Sequence, residues 1–142
     1  MMVSTKGRYA LRVMTQLAAN EDNAFIPLKE IANDQGISFK YLESIMSTLV
    51  KHGLVEGASG KGGGYRLVRT PDKYSIGEIL RVTEGTLEPV SCTATNGENC
   101  ERSKYCMTFP IWKELSDLIN GFLDSKTIAD ILDGDPERLN DI

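Results

Sequence analysis

The stretch ISFKYLESIMSTLVKHGLVEGASGKGGGYRLV, residues 37–68, decides the fold of this chain. Its first half places apolar residues three and four positions apart behind Ser38, which predicts a helix with a serine N-cap and one buried face. Gly53 follows where that helix is expected to end. The second half holds two strand-like runs, Leu54–Glu56 and Tyr65–Val68, on either side of a glycine-rich turn. This pattern predicts a β-hairpin.

Two predicted helices precede this stretch. Apolar residues recur at helical spacing over positions 9–18 behind Thr5, which can cap the first helix. A second, shorter helix is expected from Leu28 to about Asp34, and Gly36 ends it. Two short helices joined by a tight turn that contains glycine match a helix-turn-helix, and the hairpin after them adds a wing. The predicted fold is mainly α with a small β-hairpin, a winged helix-turn-helix.

The glycine-rich turn GASGKGGG, residues 57–64, has two other interpretations. A phosphate-binding loop would have Ser or Thr after its lysine and a helix after the loop, whereas Lys61 is followed by Gly62 and then by a strand. A flexible hairpin turn without a ligand stays open as the simpler alternative. Because glycines carry no side chain, the turn can approach a phosphate backbone closely, and Lys61 adds a cation at its tip.

The start of the helix that follows the turn of a helix-turn-helix enters the major groove of DNA. In this chain Glu43 can accept a hydrogen bond from cytosine N4, and Lys40 can reach guanine or a phosphate. Tyr41 has a packed alternative, with only its hydroxyl exposed. The predicted contacts are Ser38, Lys40, Tyr41 and Glu43 in the helix, with Lys61, Gly62 and Gly63 in the wing.

The second half of the chain also predicts helices. Ser75 is expected to cap a short one, with Glu78 as its capping-box partner. A longer helix is predicted from Thr108 to about Asp124, with Trp112 in the core. Its apolar stripe is broader than packing against the front half of the chain requires. Such a helix usually pairs with another across a two-fold axis. Core packing within one chain is the alternative. We therefore expect a homodimer that reads two half-sites of a palindromic operator.

A turn at residues 70–72 divides the chain into two regions of opposite charge. Residues 1–73 hold ten basic and seven acidic side chains, a net charge of +3, whereas residues 74–142 carry −7. This asymmetry allows nucleic-acid contact at the front only, and a solvated surface explains +3 equally well. We predict a DNA-binding domain over 1–73, followed by a cysteine-loop sensor and dimerisation region over 74–142.

All three cysteines, Cys92, Cys100 and Cys106, lie within fifteen residues of a polar, aperiodic segment that predicts an irregular loop. Clustered thiolates are soft ligands that suit iron–sulfur clusters, zinc or copper(I). The spacing lacks the CxxC pair of most structural zinc sites. Zinc and free redox thiols stay open beside an iron–sulfur cluster. A cluster normally takes four ligands, and His52, the single histidine, is expected to cap a helix end instead.

Composition favours a cytoplasmic protein. No apolar run reaches the length of a membrane span, and the N-terminus lacks the apolar core of a signal peptide. Thiols stay reduced in the cytoplasm, where metal or redox chemistry is favoured over structural disulfides. We expect no enzyme, because the chain shows no nucleotide fingerprint and no acid–base constellation around its histidine. The competing hypothesis is a redox enzyme or electron carrier, which cluster-dependent turnover without operator-specific DNA binding would favour.

Three motifs resemble the Rrf-two superfamily of bacterial winged-helix regulators: STKGRYALRVM at 4–14, ISFKYLESIMSTLVKHGLV at 37–55 and GKGGGYRL at 60–67. The resemblance covers about residues 2–132. The cysteine segment and the tryptophan-bearing helix after it are most similar to the IscR type, the iron–sulfur cluster regulators. The resemblance implies a dimeric DNA-binding regulator of transcription that carries a [2Fe–2S] or [4Fe–4S] cluster, with [2Fe–2S] favoured.

The implied cluster ligands are Cys92, Cys100 and Cys106. Members of the IscR type take a histidine as fourth ligand three residues after the third cysteine, where this chain has Phe109. Other members use an acidic residue near the N-terminus, where this chain has Arg8. The fourth ligand is therefore unassigned.

For DNA contact, the resemblance implies that Glu43 takes the place of the glutamate with which IscR-type proteins discriminate between sites. The resemblance also implies that the wing comprises Ser59 to Tyr65. Ser59 occupies the position at which the IscR type has arginine. The hypothesis is a regulator whose operator binding is controlled by an iron–sulfur cluster. The alternative is a cluster-free repressor controlled by thiol redox state, or by a cysteine-biosynthesis enzyme as protein partner.

Overall fold

A computed structural model of the chain describes residues 3–94 and 100–134. The elements within these ranges are α1 (Thr5–Ala19), α2 (Leu28–Gln35), α3 (Phe39–Lys51), β1 (Val55–Ala58), β2 (Gly64–Leu67), a 3-10 turn (Pro71–Lys73), α4 (Ile76–Glu84), α5 (Ser91–Ala94), α6 (Phe109–Ser125) and α7 (Ile128–Leu132). The prediction of a mainly helical fold with one small hairpin is confirmed. Parts of the predicted cysteine loop and of the predicted second region, residues 95–99 and 135–142, lie outside the described residues.

The helix-turn-helix begins and ends where its local chemistry indicated. Gly36 follows α2 in the left-handed conformation, with φ +65°, and lets the chain turn sharply into α3. The Ser38 hydroxyl then accepts the N–H of Tyr41 over 3.2 Å, which caps α3. His52 occupies the other end of α3 as its C-cap residue.

Two of the predicted caps differ in detail. Ser4 caps α1 by accepting the N–H of Gly7 over 3.3 Å, because Thr5 is already the first helical residue. Ser75 caps α4 as expected, but the predicted capping-box partner Glu78 has another role. Its carboxylate accepts two hydrogen bonds from the Arg69 guanidinium, at 2.8 and 2.9 Å, and so joins α4 to the segment after the hairpin.

The hairpin is fixed to the rest of the fold at its base and along one edge. β1 and β2 pair antiparallel from Val55 opposite Leu67 to Ala58 opposite Gly64. Tyr65 exchanges two backbone hydrogen bonds of 2.9 Å with Ile26, which precedes α2. Such bonds hold β2 against the helix-turn-helix, so that the turn between the strands projects from a rigid support.

One hydrophobic core joins both sides of the predicted boundary at residue 73. Fully buried side chains of α4 and α7, such as Ile79 and Ile128, lie in the same core as Leu42 of α3. Tyr74 is also fully buried; its hydroxyl donates to the Leu54 carbonyl over 2.7 Å and accepts two backbone N–H groups beyond β2. The division into residues 1–73 and 74–142 stays a prediction about function.

Helix α6 lies outside this core and turns a polar face inward. Ser116, its one buried residue among those described, donates its hydroxyl to the carboxylate of Glu88. Further along, Arg81 of α4 donates to Asn120 over 2.7 Å and to both carboxylate oxygens of Asp124 at 2.6 and 3.0 Å. The expectation that Trp112 is a core residue is wrong: its side chain is 37% exposed, although it lies one helical turn before the buried Ser116.

Candidate functional site

The outer face of α3 borders a groove that β2 closes on its other side. The groove has a volume of about 590 Å³, and its lining comprises Lys40, Glu43, Ser44, Ser47, Val50 and Tyr65. Two of the four helix residues predicted to contact DNA, Lys40 and Glu43, are therefore on the groove wall. Ser44 and Ser47 were not predicted; each lies one helical turn beyond a predicted position, at i+4 from Lys40 and from Glu43, and that spacing could have identified them.

Tyr41 and Ser38, the other two predicted helix contacts, are held by packing and by the helix cap. The Tyr41 ring meets Tyr9 of α1 edge-on, with centroids 5.9 Å apart, and the Arg12 guanidinium lies 5.1 Å from the centre of the Tyr9 ring. Tyr41 thus packs on α1 along one edge, yet it stays 36% exposed, and its contact with DNA stays a prediction. Lys6 of α1 adds a hydrogen bond of 3.1 Å to Thr48, so α1 supports α3 at both of its ends.

The tip of the wing exposes Ser59 and Lys61 to solvent. Gly62 has φ +78°, a left-handed conformation that residues with a side chain rarely adopt. A side chain at Gly63 would collide with the carbonyl of Ala58. The glycines are therefore required by the turn itself, and their contact with DNA stays a prediction.

The three cysteines are free and half-buried, but the segment that holds them is not wholly irregular. Cys92 lies in the one-turn helix α5, which corrects the prediction of a loop there. Partial burial raises the pKa of the Cys92 thiol, and a hydrogen bond with Cys100 raises it further. The thiols of Cys92 and Cys100 therefore influence each other's charge.

Cys106 has the opposite electrostatic environment. Its pKa is lowered, first by the Thr108 hydroxyl at 3.3 Å from the sulfur and then by the backbone N–H groups of Thr108 and Phe109. These groups lie at the start of α6, where the helix dipole also favours negative charge. The surroundings of the Cys106 sulfur therefore favour its thiolate form.

The donor chemistry of this segment fits an iron–sulfur cluster, because three half-buried thiols from one stretch of chain supply soft ligands. Within residues 3–94 and 100–134, no three His, Cys, Asp or Glu side chains are already arranged as a metal site. Closure of the segment around a cluster would therefore be needed. Phe109 has no donor atom, and the ring Nδ1 of His52 lies 2.9 Å from the Thr48 carbonyl oxygen at the end of α3.

The outward face of α6 is apolar. Ile111, Leu118 and Phe122 are 61%, 65% and 61% exposed, although their side chains are large and hydrophobic. Leu115 lies between them on the same face and is also exposed. Since the inward side of α6 makes polar contacts, this helix presents its hydrophobic stripe away from its own chain.

Comparison with known proteins gives consistent matches along the chain. The Rrf2 family, described as iron-dependent transcriptional regulators, matches residues 3–134. The HTH-type transcriptional regulator IscR of Cronobacter sakazakii is 35% identical over 132 residues, which cover 93% of this chain and 80% of that protein.

Two solved structures are similar to the whole fold. IscR of T. potens superposes with a TM-score of 0.77 and 36% identity, over 97% of this chain and 90% of that one. CymR, the global cysteine regulator of B. subtilis, superposes with a TM-score of 0.71 and 36% identity, over 92% of this chain and 95% of that one.

The relatives are named as transcriptional regulators, which agrees with the prediction that the chain is not an enzyme. In the part of the chain that the structure describes, no helix is long and apolar enough to cross a membrane.

Proposed function

This chain belongs to the Rrf2 family of transcriptional regulators, and from that premise we propose that an iron–sulfur cluster on Cys92, Cys100 and Cys106 controls its binding to an operator. One observation carries the proposal: three half-buried thiols share a short segment that leads directly into the outward-facing helix α6. When bound, such a cluster supplies a centre sensitive to iron and to redox state. The proposed location is the cytoplasm, where thiols stay reduced.

The proposed ligand set contains three residues, and the fourth position is open. Phe109 cannot fill it, so water, another side chain or a residue of a second subunit is required. A [2Fe–2S] cluster is favoured over [4Fe–4S] because the segment resembles that of the IscR type. Cys106, whose thiolate is favoured by the Thr108 hydroxyl and by nearby backbone N–H groups, is one of the three proposed ligands.

The proposed DNA contacts are those of the groove and of the wing. Glu43 reads a base edge in the major groove, while Lys40 contacts guanine or a phosphate. Exposed Lys61 contacts a phosphate at the wing tip, where Gly62 and Gly63 allow the backbone to come close. Ser38, Tyr41 and Ser59 complete the proposed set.

The proposed assembly is a homodimer formed through α6. Large side chains more than half exposed, on a helix that already satisfies its polar side within the chain, need a hydrophobic partner. A second copy offers the same stripe across a two-fold axis. Two helices α3 would then face two half-sites of a palindrome.

The cysteine segment is placed to change this geometry because it is tied to the fold at both ends. Before it, Glu88 accepts a hydrogen bond from Ser116 of α6. After it, Cys106 contacts Thr108, the N-cap residue of the same helix. Ligation of three sulfurs would tighten the segment between these two points, and the spacing of the two α3 helices would respond through α6.

A second candidate is a cluster-free repressor controlled by thiol redox state or by an enzyme of cysteine biosynthesis. Its support is that all three cysteines are free and half-buried and that Cys100 affects the pKa of the Cys92 thiol without a metal. The 36% identity with CymR, a cysteine regulator, is in keeping with it. The two candidates differ in whether the purified protein holds iron and sulfide.

The experiment is anaerobic purification, followed by an absorption spectrum and by iron, sulfide and zinc analysis of the same sample. We expect a coloured protein with matched iron and sulfide, and the number of iron atoms per chain separates two-iron from four-iron forms. Cys100→Ala should lose the cluster and remain a folded dimer. Colourless, metal-free wild-type protein that still binds DNA would overturn the cluster proposal in favour of the second candidate.

A further inference from the structure

Thr108 occupies the N-cap position of α6 without capping it. A threonine in this position usually accepts an N–H of the first turn through its side chain. Here no such hydrogen bond forms, and the residue has φ −92° and ψ −16° in place of an extended cap conformation. The hydroxyl instead lies 3.3 Å from the sulfur of Cys106.

The first turn of α6 does not need the Thr108 hydroxyl. Phe109 donates its N–H to the Cys106 carbonyl over 3.3 Å, and Ile111 donates to the Thr108 carbonyl over 3.1 Å. Pro110, between them, has no N–H to satisfy. Because backbone carbonyls accept the N–H groups of Phe109 and Ile111, the Thr108 hydroxyl is not needed as a cap and can form a hydrogen bond with the Cys106 sulfur.

We propose that Thr108 is a positioning residue of the cysteine centre, whose hydroxyl donates a hydrogen bond to the Cys106 sulfur when that sulfur is a metal ligand. The inference rests on the proposed function. A ligating thiolate has no proton and can only accept, so the hydroxyl has to be the donor. The contact joins Cys106, just before the helix, to Thr108, the N-cap residue of the 17-residue α6, and it therefore also fixes the direction of the sulfur.

Two properties of a bound cluster should depend on this hydroxyl. Hydrogen bonds to cluster sulfurs withdraw negative charge and raise the reduction potential. Groups that hold a metal-ligating side chain in place by hydrogen bonds also strengthen metal binding. Thr108→Val removes the hydroxyl but keeps the branched shape of the side chain, whereas Thr108→Ser keeps the hydroxyl and removes a methyl group.

The test compares wild-type protein, Thr108→Val and Thr108→Ser as full-length, cluster-loaded proteins, with iron and sulfide measured first in each. Loss of iron to a chelator should be roughly fivefold faster in Thr108→Val, the effect of one hydrogen bond, and its midpoint potential should be more negative. The serine variant should match wild type in both. A shift of the Fe–S stretching band in D₂O should be smaller in the valine variant than in wild type, because only the backbone N–H groups near Cys106 still exchange.

Two outcomes would overturn the inference in distinguishable ways. If wild type holds a cluster and the valine variant equals it in potential, iron loss and D₂O shift, Thr108 has no role while the proposed function stands. If wild type takes up no iron and sulfide, the proposed function fails and the inference fails with it. Thr108→Ala serves as a second variant without a hydroxyl, should the valine variant fail to fold, and the same results are expected from it.

Discussion

Ser4 and Glu84 are 80 positions apart in sequence, yet the backbone N–H and the hydroxyl of Ser4 both donate to one carboxylate oxygen of Glu84, over 3.0 and 2.6 Å. The carboxylate lies at the start of α1, where the helix dipole favours it. One turn into α1, Gly7 leaves room for it. Lys6 of the same helix donates to Thr48 of α3. The end of α4, from which the cysteine segment departs, is therefore joined through α1 to the helix proposed to read DNA.

The first prediction concerns this junction. Gly7→Ala should fail to stabilise the wild-type protein, because the added methyl group collides with the Glu84 carboxylate and displaces it from Ser4. In a Glu84→Ala background the same change should raise the free energy of unfolding, by up to about 1 kcal/mol, since alanine favours a helix over glycine. Urea unfolding of the four proteins gives the interaction energy, expected at about 1–3 kcal/mol. Equal effects of Gly7→Ala in both backgrounds would show that the two residues do not interact.

The second prediction concerns base recognition by Glu43. Glu43→Ala should relax the preferred base at one position of each half-site and change little elsewhere, because a single acceptor from cytosine N4 is lost. The discrimination lost should be about 1–3 kcal/mol. Selection from a random DNA library, performed with wild type and variant, measures it. Glu21→Ala, which removes an exposed carboxylate outside α3, is the control. An unchanged preference in Glu43→Ala would mean that α3 reads DNA through other residues.

The third prediction concerns the phosphate contact of Lys61. Lys61→Ala should weaken binding to all DNA sequences about equally. The slope of log affinity against log salt should fall by about 1 per subunit, because binding releases one counterion fewer from the DNA. Titrations of a specific and a random duplex at several salt concentrations provide the slopes. Lys73→Ala removes an exposed lysine beyond the wing and should leave the slope unchanged. A loss confined to the specific duplex would contradict a phosphate contact.

The fourth prediction concerns the dimer. Leu118→Glu should raise the dissociation constant of the dimer at least about a hundredfold, because each of two copies loses a buried leucine worth about 2 kcal/mol and gains a charge. Sedimentation at several concentrations measures this. Asp117→Asn, on the polar side of the same helix, should have little effect, since its partner is an exposed Lys113. If Leu118→Glu stays a dimer of unchanged affinity, α6 is not the interface.

Sequence patterns sufficed for elements whose causes are local. Ser38 as a cap, Gly36 as a helix end and the glycine turn of the wing all act on residues within a few positions, so spacing and residue type predict them. The candidate contacts on α3 follow from the same regularity, since a helix places every third or fourth residue on one face.

Contacts between residues that are distant in sequence have no local sequence signal. No periodic pattern in the sequence indicates the hydrogen bond of the Tyr74 hydroxyl at the base of the hairpin or the pairing of Glu84 with Ser4. The orientation of α6 had no local signal either: the helix has the amphipathic spacing of a core element, but Arg81 and Glu88 bind its polar side, and Leu118 and Phe122 stay exposed. Which face of an amphipathic helix is inward depends on partners that spacing does not reveal.

The most direct measurement of the central claim is the affinity of one selected operator for the same protein in cluster-loaded and metal-free forms, at fixed salt and under anaerobic conditions. Cys100→Ala, carried through the same loading procedure, is the control that should behave as the metal-free form throughout. Control by the cluster predicts a change in affinity of about 5–150-fold between the two wild-type forms, the usual range for coupled sites. Equal affinities, in a sample whose iron and sulfide show full loading, would contradict the claim that the cysteine centre governs DNA binding.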